Sequence, residues 1–237
     1  MVGSFLNCVI YRLEKEKSFL KGRSYCPRCK HKLGFLDLVP VLSFFMLRGR
    51  CRYCKEKISW QYPMVEISTA AIFLLIFNFQ FSIFNFILAC FLIVIFVYDL
   101  KHYVIPDKVI YPAIGVALVY DFLRSDFLGK SDLLISALGA AAFFLAIVLI
   151  SRGKWMGVGD IKLAFLMGLI LGYPNILVAL FLAFLIGAII GVGLMVFGKK
   201  TMKSEVPFGP FLVGGTLIAL FFGKEIINWY VQSFYFN

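Results

Sequence analysis

The chain has 237 residues, of which 61% are hydrophobic and 16% are charged, and its formal net charge is +11. A soluble domain is nearer half apolar and about a quarter charged, so the composition excludes an ordinary soluble globular protein. The apolar residues lie in blocks long enough to cross a hydrocarbon core of about 30 Å, which takes roughly 20 helical residues. We therefore expect an all-α, polytopic membrane protein of about eight transmembrane helices.

The predicted elements begin with a short apolar segment over residues 1–12, expected to be the first transmembrane helix. It lacks the basic n-region and the small-residue cleavage site of a removable signal peptide. A basic loop domain over 13–62 follows. The remainder, 63–237, is expected to be embedded in the membrane, and its apolar stretches predict helices at 64–82, 84–100, 106–124, 131–151, 160–172, 175–198 and 207–227.

The basic residues are clustered as well. The segment from Arg12 to Lys57 holds 13 of the 24 Lys and Arg residues but only four acids. Such a cluster can mark nucleic-acid binding, but in a membrane protein it indicates a loop kept on the cytoplasmic side. If the loop is cytoplasmic and each helix crosses once, 21 basic residues face the cytoplasm, and only Arg124, Lys130 and Lys224 face the other side. We therefore expect a membrane protein with this loop on the cytoplasmic side and no nucleic-acid partner.

Two C-x-x-C pairs in the basic loop predict a metal site. Cys26 and Cys29 form the first pair and Cys51 and Cys54 the second, with 21 residues between them. Each pair places two thiolates on one tight turn, and two such turns complete a tetrahedron around Zn²⁺. Disulfides are disfavoured in a reducing compartment, and a thioredoxin-like motif is disfavoured because nothing indicates a βαβ unit. With no open ligand position, the expected zinc is structural and folds a loop too small to stabilise itself.

Three acids lie at expected helix ends, where ionisable groups are costly and therefore functional candidates. Asp107 follows a proline at a helix start, a position that the helix dipole favours for structural reasons alone. Asp160 could likewise be an N-cap, although Gly157 and Gly159 before it indicate a close approach to the backbone. Asp99 closes a helix, where the dipole repels an anion, so local structure gives no reason for it.

Paired carboxylates suggest a specific chemistry. Two acids held at the same membrane depth can share a proton, so that one acts as a base on water while the other acts as an acid. Such a pair hydrolyses a peptide bond without a metal or a covalent nucleophile; helix geometry alone permits a pairing of these acids and does not demonstrate it. Glu66 begins the second predicted helix. Its role is either structural, because the helix dipole favours an acid in the first turn, or functional, and both alternatives stay open.

These residues belong to motifs that resemble those of the bacterial type IV prepilin peptidases, also called leader peptidase/N-methyltransferases. A single G-x-G-D would be weak evidence, but here the motifs occur in order over almost the whole chain. They are Gly3-Ser4-Phe5-Leu6-Asn7, the two C-x-x-C pairs, Gly49-Arg50-Cys51-Arg52-Tyr53-Cys54, Tyr62-Pro63-Met64-Val65-Glu66, Asp99 with Ile105-Pro106-Asp107, Gly157-Val158-Gly159-Asp160-Ile161-Lys162-Leu163 and Val206-Pro207-Phe208-Gly209-Pro210-Phe211.

The resemblance implies an eight-helix aspartyl protease of the G-x-G-D group, related in mechanism to presenilin. Such enzymes cut the leader of type IV prepilins or type II secretion pseudopilins after a glycine on the cytoplasmic side. They then methylate the new N-terminal residue with S-adenosylmethionine. Carried over by position, the catalytic pair is Asp99 and Asp160, the supporting residues are Asp107, Gly157, Gly159 and Lys162, the zinc ligands are Cys26, Cys29, Cys51 and Cys54, and the methylation candidates are Gly49, Arg50 and Glu66.

The resemblance also sets the alternatives. Family members carry about a turn or more of apolar sequence before the first motif, whereas only Met1 and Val2 precede it here, so two alternatives are open: a truncated first helix, or a true start that lies upstream. A peptidase that cleaves without methylating is a second hypothesis. A zinc-stabilised membrane transporter or scaffold is a third, disfavoured because acids on an ion path recur at mid-membrane depth. The expected partners are a substrate helix in the membrane and the lipid bilayer.

Overall fold

A computed structural model of the chain describes residues 1–16, 24–79, 82–123, 127–196 and 206–235. Part of the predicted basic loop, 17–23, lies outside the described residues, as does Arg124, on which the orientation argument partly rested. The described part is all-α apart from two isolated β-bridges, which confirms the predicted fold class. Its helices are α1 Val2–Glu14, α2 Leu42–Met46, α3 Gln61–Phe79, α4 Ile83–His102, α5 Asp107–Leu123, α6 Phe127–Ser151, α7 Val158–Leu171, α8 Asn175–Val196 and α9 Gly209–Tyr235.

The eight longer helices correspond one to one with the predicted ones. Within the ranges given above, five contain stretches long and apolar enough to cross a membrane, namely α3, α4, α8, Asp132–Ser151 of α6 and Gly209–Ser233 of α9. The other three, α1, α5 and α7, have 13, 17 and 14 residues, fewer than the roughly 20 that an untilted span requires. The chain is thus a multi-pass membrane protein, and the count of eight spans stays a prediction.

The chain divides into two compact units, Met1–Phe81 and Ser82–Asn237. In the first unit α1 packs on α3. A Cβ on Gly3 would lie 2.7 Å from Glu66 Cα, so the two helices touch where one of them has no side chain. The Asn7 side-chain amide donates to the Tyr62 carbonyl at 3.0 Å, which ties the middle of α1 to the start of α3. This unit contains the predicted cysteine loop.

In the second unit the short helix α7 is the most enclosed element. It contacts α5, α6, α8 and α9, and Leu163, Ala164, Leu166 and Met167 are fully buried. Gly168 allows α6 to approach, because a Cβ there would collide with the Ala137 backbone. Small residues permit such close helix contacts where lipid supplies no hydrophobic driving force. The enclosure explains how a helix of 14 residues can hold an ionisable group away from lipid.

Candidate functional site

Asp99 lies in the last turn of α4, and its side chain is buried with 4% exposure. The helix ends at Tyr103, a left-handed residue whose N–H donates to the Asp99 carbonyl at 2.9 Å. The Asp99 carboxylate accepts a hydrogen bond from the backbone N–H of Gly209, the first residue of α9. An anion unfavourable at the end of its own helix is therefore stabilised at the start of another, where free N–H groups and the dipole favour negative charge.

The sequence analysis did not identify a role for Gly209, although Val206-Pro207-Phe208-Gly209 is part of one of the motifs. A Cβ at Gly209 would lie 2.5 Å from Asp99 Oδ2. Glycine is thus required there by the carboxylate. A glycine directly after Pro207 and Phe208, at a helix start, is the signal that points to a close approach.

Asp160 is the third residue of α7 and has 9% exposure. Its Oδ2 accepts from the backbone N–H of Gly157 at 3.2 Å, so the carboxylate reaches back over the helix start. A Cβ on Gly159 would lie 3.1 Å from Ile105 Cβ, which agrees with the close approach expected from the two glycines. The helix start therefore holds the acid in one orientation.

The two acids share one cavity of ≈ 630 Å³ at the ends of α4, α5, α7 and α9. The charge on Asp99 acts on that of Asp160 as a repulsion, so the two carboxylates lie within electrostatic reach inside the unit. Residues 99 and 160 are distant in the sequence, and the structure brings them together. The cavity also has aromatic walls that single-residue reasoning did not single out, formed by Tyr98, Tyr103, Trp155 and Phe208.

The four supporting residues predicted from the sequence, Asp107, Gly157, Gly159 and Lys162, also line this cavity. Lys162 Nζ lies 2.6 Å from Asp107 Oδ1 and 4.8 Å from the Tyr111 ring centroid. Asp107 is the first residue of α5 and follows Pro106, whose carbonyl accepts from the Val109 N–H at 2.9 Å. Asp107 thus has a helix-start position, as expected, and an ion-pair partner in α7 as well.

The four predicted metal ligands form one cluster in the first unit. The sulfur atoms of Cys26, Cys29, Cys51 and Cys54 all lie within 4.8 Å of one another, and the Cys26 and Cys54 sulfurs are 3.9 Å apart. A tetrahedral zinc ion with bonds of about 2.3 Å requires sulfur atoms roughly 3.8 Å apart. The cluster therefore has the ligand type, number and spacing of a closed four-thiolate zinc site.

The two halves of this cluster are built in the same way. In the first, Cys26 N–H donates to the His31 carbonyl and Lys30 N–H donates to the Cys26 carbonyl. In the second, Cys51 bonds to Glu56 and Lys55 bonds to Cys51 in the same pattern. Each turn is closed by a lysine in the left-handed region, with φ 57° and 59°. These paired cysteine turns, 25–32 and 50–57, deliver two sulfurs each.

The thiols of the cluster do not ionise equally. Burial opposes ionisation of Cys51, but hydrogen bonds from the Cys54 and Tyr53 backbone and from the Cys54 and Cys26 thiols outweigh it and lower its pKa to about 7. A backbone hydrogen bond at Glu56 favours the Cys54 thiolate, yet burial and hydrogen bonds to the other three thiols raise the pKa of Cys54 to about 11. Without a metal ion, the first thiolate therefore makes the next one harder to form.

The methylation candidates lie in the same unit. Gly49 has φ +66°, and a Cβ there would lie 3.1 Å from the Phe44 ring, while Arg50 forms the β-bridge with Lys57 and is exposed. Glu66 Oε2 accepts from the Val41 N–H at 2.8 Å. Of the three, Glu66 lines a second cavity, of ≈ 510 Å³, within this unit.

Two features together define the class of the protein. It is a multi-pass membrane protein in which buried carboxylates from two helices share a cavity, joined in one chain to a four-cysteine unit. The sequence profile of the bacterial peptidase A24 N-terminal domain matches residues 1–80, which include all four cysteines. The profile of the type IV leader peptidase family matches residues 86–192, which include Asp99 and Asp160.

Curated relatives match over nearly the full length. The prepilin leader peptidase/N-methyltransferase of Aeromonas hydrophila is 31% identical, over 99% of this chain and 91% of the relative. Those of Bacillus subtilis (strain 168), 31% identical over 98% and 94%, and of Legionella pneumophila, 32% identical over 97% and 91%, are similar. No solved structure gives a significant match. The chain belongs to the type IV leader peptidase family, and the predicted family is confirmed.

Proposed function

We propose that the chain is an inner-membrane aspartyl endopeptidase that removes the leader of type IV prepilins or type II secretion pseudopilins. Cleavage follows a glycine on the cytoplasmic side, and N-methylation of the new N-terminal residue comes next. The observation that carries the peptidase is that Asp99 and Asp160 line one cavity, both buried, with the Asp99 charge acting on Asp160. Family membership supports the leader as the substrate.

The pair supplies both halves of the acid–base chemistry. Repulsion favours the state in which one carboxyl keeps its proton. The ionised carboxylate takes a proton from a water molecule, which attacks the scissile carbonyl carbon. The neutral carboxyl donates its proton to the peptide nitrogen, which leaves as an amine when the carbon–nitrogen bond breaks. Hydrogen bonds from Gly209 to Asp99 and from Gly157 to Asp160 hold both groups in place.

The substrate class fits the position of the cavity. The cavity lies where α4 ends and α7 begins, beside apolar helices that can contact lipid. The apolar helix of a prepilin would lie in the bilayer. Its scissile bond, next to the end of that helix, would then lie at the depth of the cavity. The basic residues of the loop, which predict its cytoplasmic location, are consistent with an active site open to the cytoplasm.

The four cysteines are proposed to hold one structural zinc ion. All four positions of a tetrahedron are filled by Cys26, Cys29, Cys51 and Cys54, so no position remains for a catalytic water. The expected result of metal analysis is about one zinc per purified chain, since each closed site holds one ion. Cys51→Ser should lose the metal, whereas the matched variant Cys90→Ser, in α4, should retain it. A metal-free chain with a folded first unit would contradict the assignment.

We propose methylation because the relatives are named leader peptidase/N-methyltransferases. The candidate residues Gly49, Arg50 and Glu66 all lie in the first unit. S-adenosylmethionine is the expected methyl donor and supplies an electrophilic methyl group when bound. The alternative, a peptidase without methylation, is tested by the mass of the mature substrate. An added methyl group on its N-terminal residue supports the bifunctional enzyme, and an unmodified N-terminus supports the alternative.

Co-expression with a prepilin tests the peptidase directly. Asp99→Asn and Asp160→Asn should each reduce leader cleavage by about 10²–10⁴-fold, the range for loss of a general acid or base, with the protein still inserted and folded. Asp132→Asn, an exposed acid of α6, is the matched control and should cleave normally. Retained cleavage in either cavity variant would remove that residue from the catalytic pair.

A further inference from the structure

An apolar segment, 38–47, interrupts the basic residues of the first unit. It carries no charged residue and contains the short helix α2. The side chains of Leu42, Phe45 and Met46 are 62%, 56% and 83% exposed, so the described part of the unit does not cover them. Neighbouring large apolar side chains left open in this way mark a surface that contacts a partner or a membrane. An apolar run of this length is too short to span a bilayer and, when it is not buried in a core, is typical of an interfacial or re-entrant segment.

Aromatic contacts fix the position of α2 relative to α3. Helix α3 is one of those long and apolar enough to cross a membrane, and Trp60 immediately precedes it. The ring centroids of Phe44 and Phe45 lie 5.0 Å and 6.5 Å from that of Trp60. Tryptophan beside a membrane span is typical of the boundary between lipid and water. Because α2 packs against this tryptophan, it lies at the same boundary.

A hydrogen bond shows how far the segment follows α3. The N–H of Val41, directly before α2, donates to Glu66 Oε2 at 2.8 Å. Glu66 lies five residues after Gln61, the first residue of α3, which is about 7.5 Å along the axis at about 1.5 Å per residue. The segment therefore lies beside the first two turns of α3. Non-helical backbone at such a depth needs a polar partner, because lipid offers none, and the Glu66 carboxylate is that partner for Val41.

Basic side chains border the apolar segment. Arg48 and Arg50 follow it in the sequence, and a β-bridge joins Arg50 to Lys57, three residues before Trp60. All three basic residues are exposed. Basic residues next to a membrane-inserted segment attract the anionic headgroups of phospholipids. The apolar face and its charged border thus complement a bilayer that contains anionic lipid.

We propose that 38–47 is an interfacial membrane segment, inserted into the lipid leaflet beside the start of α3. Leu42, Phe45 and Met46 lie among the lipid chains, and the three basic residues lie at anionic headgroups. The sequence analysis assigned all of 13–62 to a loop outside the membrane, and this inference removes the segment from that loop. The cysteine turn 50–57, between the segment and α3, is then held at the membrane surface. The inference is independent of the peptidase proposal, because it uses no residue of the carboxylate cavity.

Photocrosslinking to lipid tests the segment in the full chain. The photoreactive residue p-benzoylphenylalanine replaces Met46, and the purified protein is irradiated in vesicles of equal parts phosphatidylglycerol and phosphatidylcholine. The probe at position 46 should form lipid adducts in a yield similar to that of the same probe at Met64, which is exposed on the span α3. The control is the probe at Arg28, which is exposed in the first cysteine turn. Its lipid adducts should be about tenfold fewer, because a side chain outside the apolar layer does not meet the acyl chains.

The same vesicles test the charged border. Adducts at position 46 should contain phosphatidylglycerol in about fivefold excess over phosphatidylcholine, the preference expected from one basic residue at a membrane surface. Arg48→Gln combined with Lys57→Gln should reduce that excess. Lys224→Gln, an exposed basic residue of α9, is the matched control and should leave it unchanged. Equal labelling of the two lipids by the probe at 46 would remove the basic residues from the proposal.

Two other outcomes would overturn the lipid contact itself. A yield of lipid adducts at position 46 as low as at Arg28 would place the segment in water. Crosslinking of position 46 to a second copy of the chain, in place of lipid, would assign the exposed face to a contact between chains.

Discussion

Lys162 Nζ and Asp107 Oδ1 lie 2.6 Å apart and join the start of α7 to the start of α5 at the rim of the carboxylate cavity. The two side chains are 24% and 60% exposed. Exposed ion pairs of this kind contribute about 0–1 kcal/mol to stability, because solvent screens the charges. The Lys162–Asp107 ion pair therefore positions α7 only weakly. Asp160, two residues before Lys162, is held instead by the hydrogen bond from the Gly157 N–H at the start of α7.

Asp107→Asn should retain substantial peptidase activity. The asparagine still occupies the helix start and loses only the exposed ion pair, so we expect cleavage within about tenfold of the unaltered chain, since the pair contributes about 1 kcal/mol at most. The measurement is the rate of prepilin cleavage in membranes, with Asp160→Asn as the inactive reference. A loss as complete as that of the reference would place Asp107 in the chemistry itself.

Gly209→Ala should reduce cleavage by roughly 10²-fold, although it adds a single methyl group. The added Cβ would lie 2.5 Å from Asp99 Oδ2, so either the carboxylate or the start of α9 must move, and misplacement of a reacting group by about 1 Å can cost roughly 10²-fold in rate. Gly214→Ala in the same helix is the matched control, because no atom lies within 4 Å of its Cβ position. Equal activity of the two variants would show that the Asp99–Gly209 contact is unimportant.

Gly168→Ala should lower stability rather than remove chemistry. Its Cβ would collide with the Ala137 backbone, which forces α6 and α7 apart, and overpacking of this kind costs about 1–3 kcal/mol. Gly139→Ala on α6, with nothing within 4 Å of its Cβ position, should leave the thermal midpoint unchanged. The measurement is thermal unfolding in detergent followed by intrinsic fluorescence, and coincident midpoints for the two variants would contradict the close helix contact.

Metal retention should depend on pH through the thiolates. The pKa of Cys51 is lowered to about 7, so its thiolate is present above that pH and is lost as the pH falls through it. Because zinc binds thiolates and competes with protons, retention under a fixed chelator concentration should be high at pH 8 and should decrease as the pH falls. Metal content after dialysis at each pH gives the profile. Retention that rises as the pH falls would exclude thiolate ligands.

The sequence predicted the helices and the metal ligands because their signals are local. Apolar blocks and C-x-x-C spacing do not depend on what lies elsewhere in the chain, and the eight longer helices and the cysteine cluster were found where expected. Helix ends were less exact: α3 begins at Gln61, ahead of the expected position 64, since Pro63 in a first turn needs no hydrogen-bond acceptor. Likewise α9 extends to Tyr235, beyond the expected 227.

The environment of Asp99 could not be predicted in the same way. Its stabilising donor, Gly209, lies 110 positions further along the chain, and no pattern around either residue encodes their contact. The buried Oδ1 atom of Asn7, which has no hydrogen-bond partner among the described residues, is a similar case, because the sequence shows an asparagine in an apolar helix but not which of its atoms lacks a partner. The three-part domain division and the catalytic roles stay predictions that only the experiments above can test.

The paired cysteine turns have a consequence for how this unit can change during evolution. Each turn fixes its two sulfurs through its own main chain, so insertions or deletions between residues 33 and 49 need not disturb the metal ion. Proline at 30 or 55 would be incompatible, because both positions require a left-handed backbone that proline cannot adopt. The intervening segment also supplies Phe44 to the wall of the ≈ 510 Å³ cavity, so length variants of it would reshape that cavity while the cysteine turns persist.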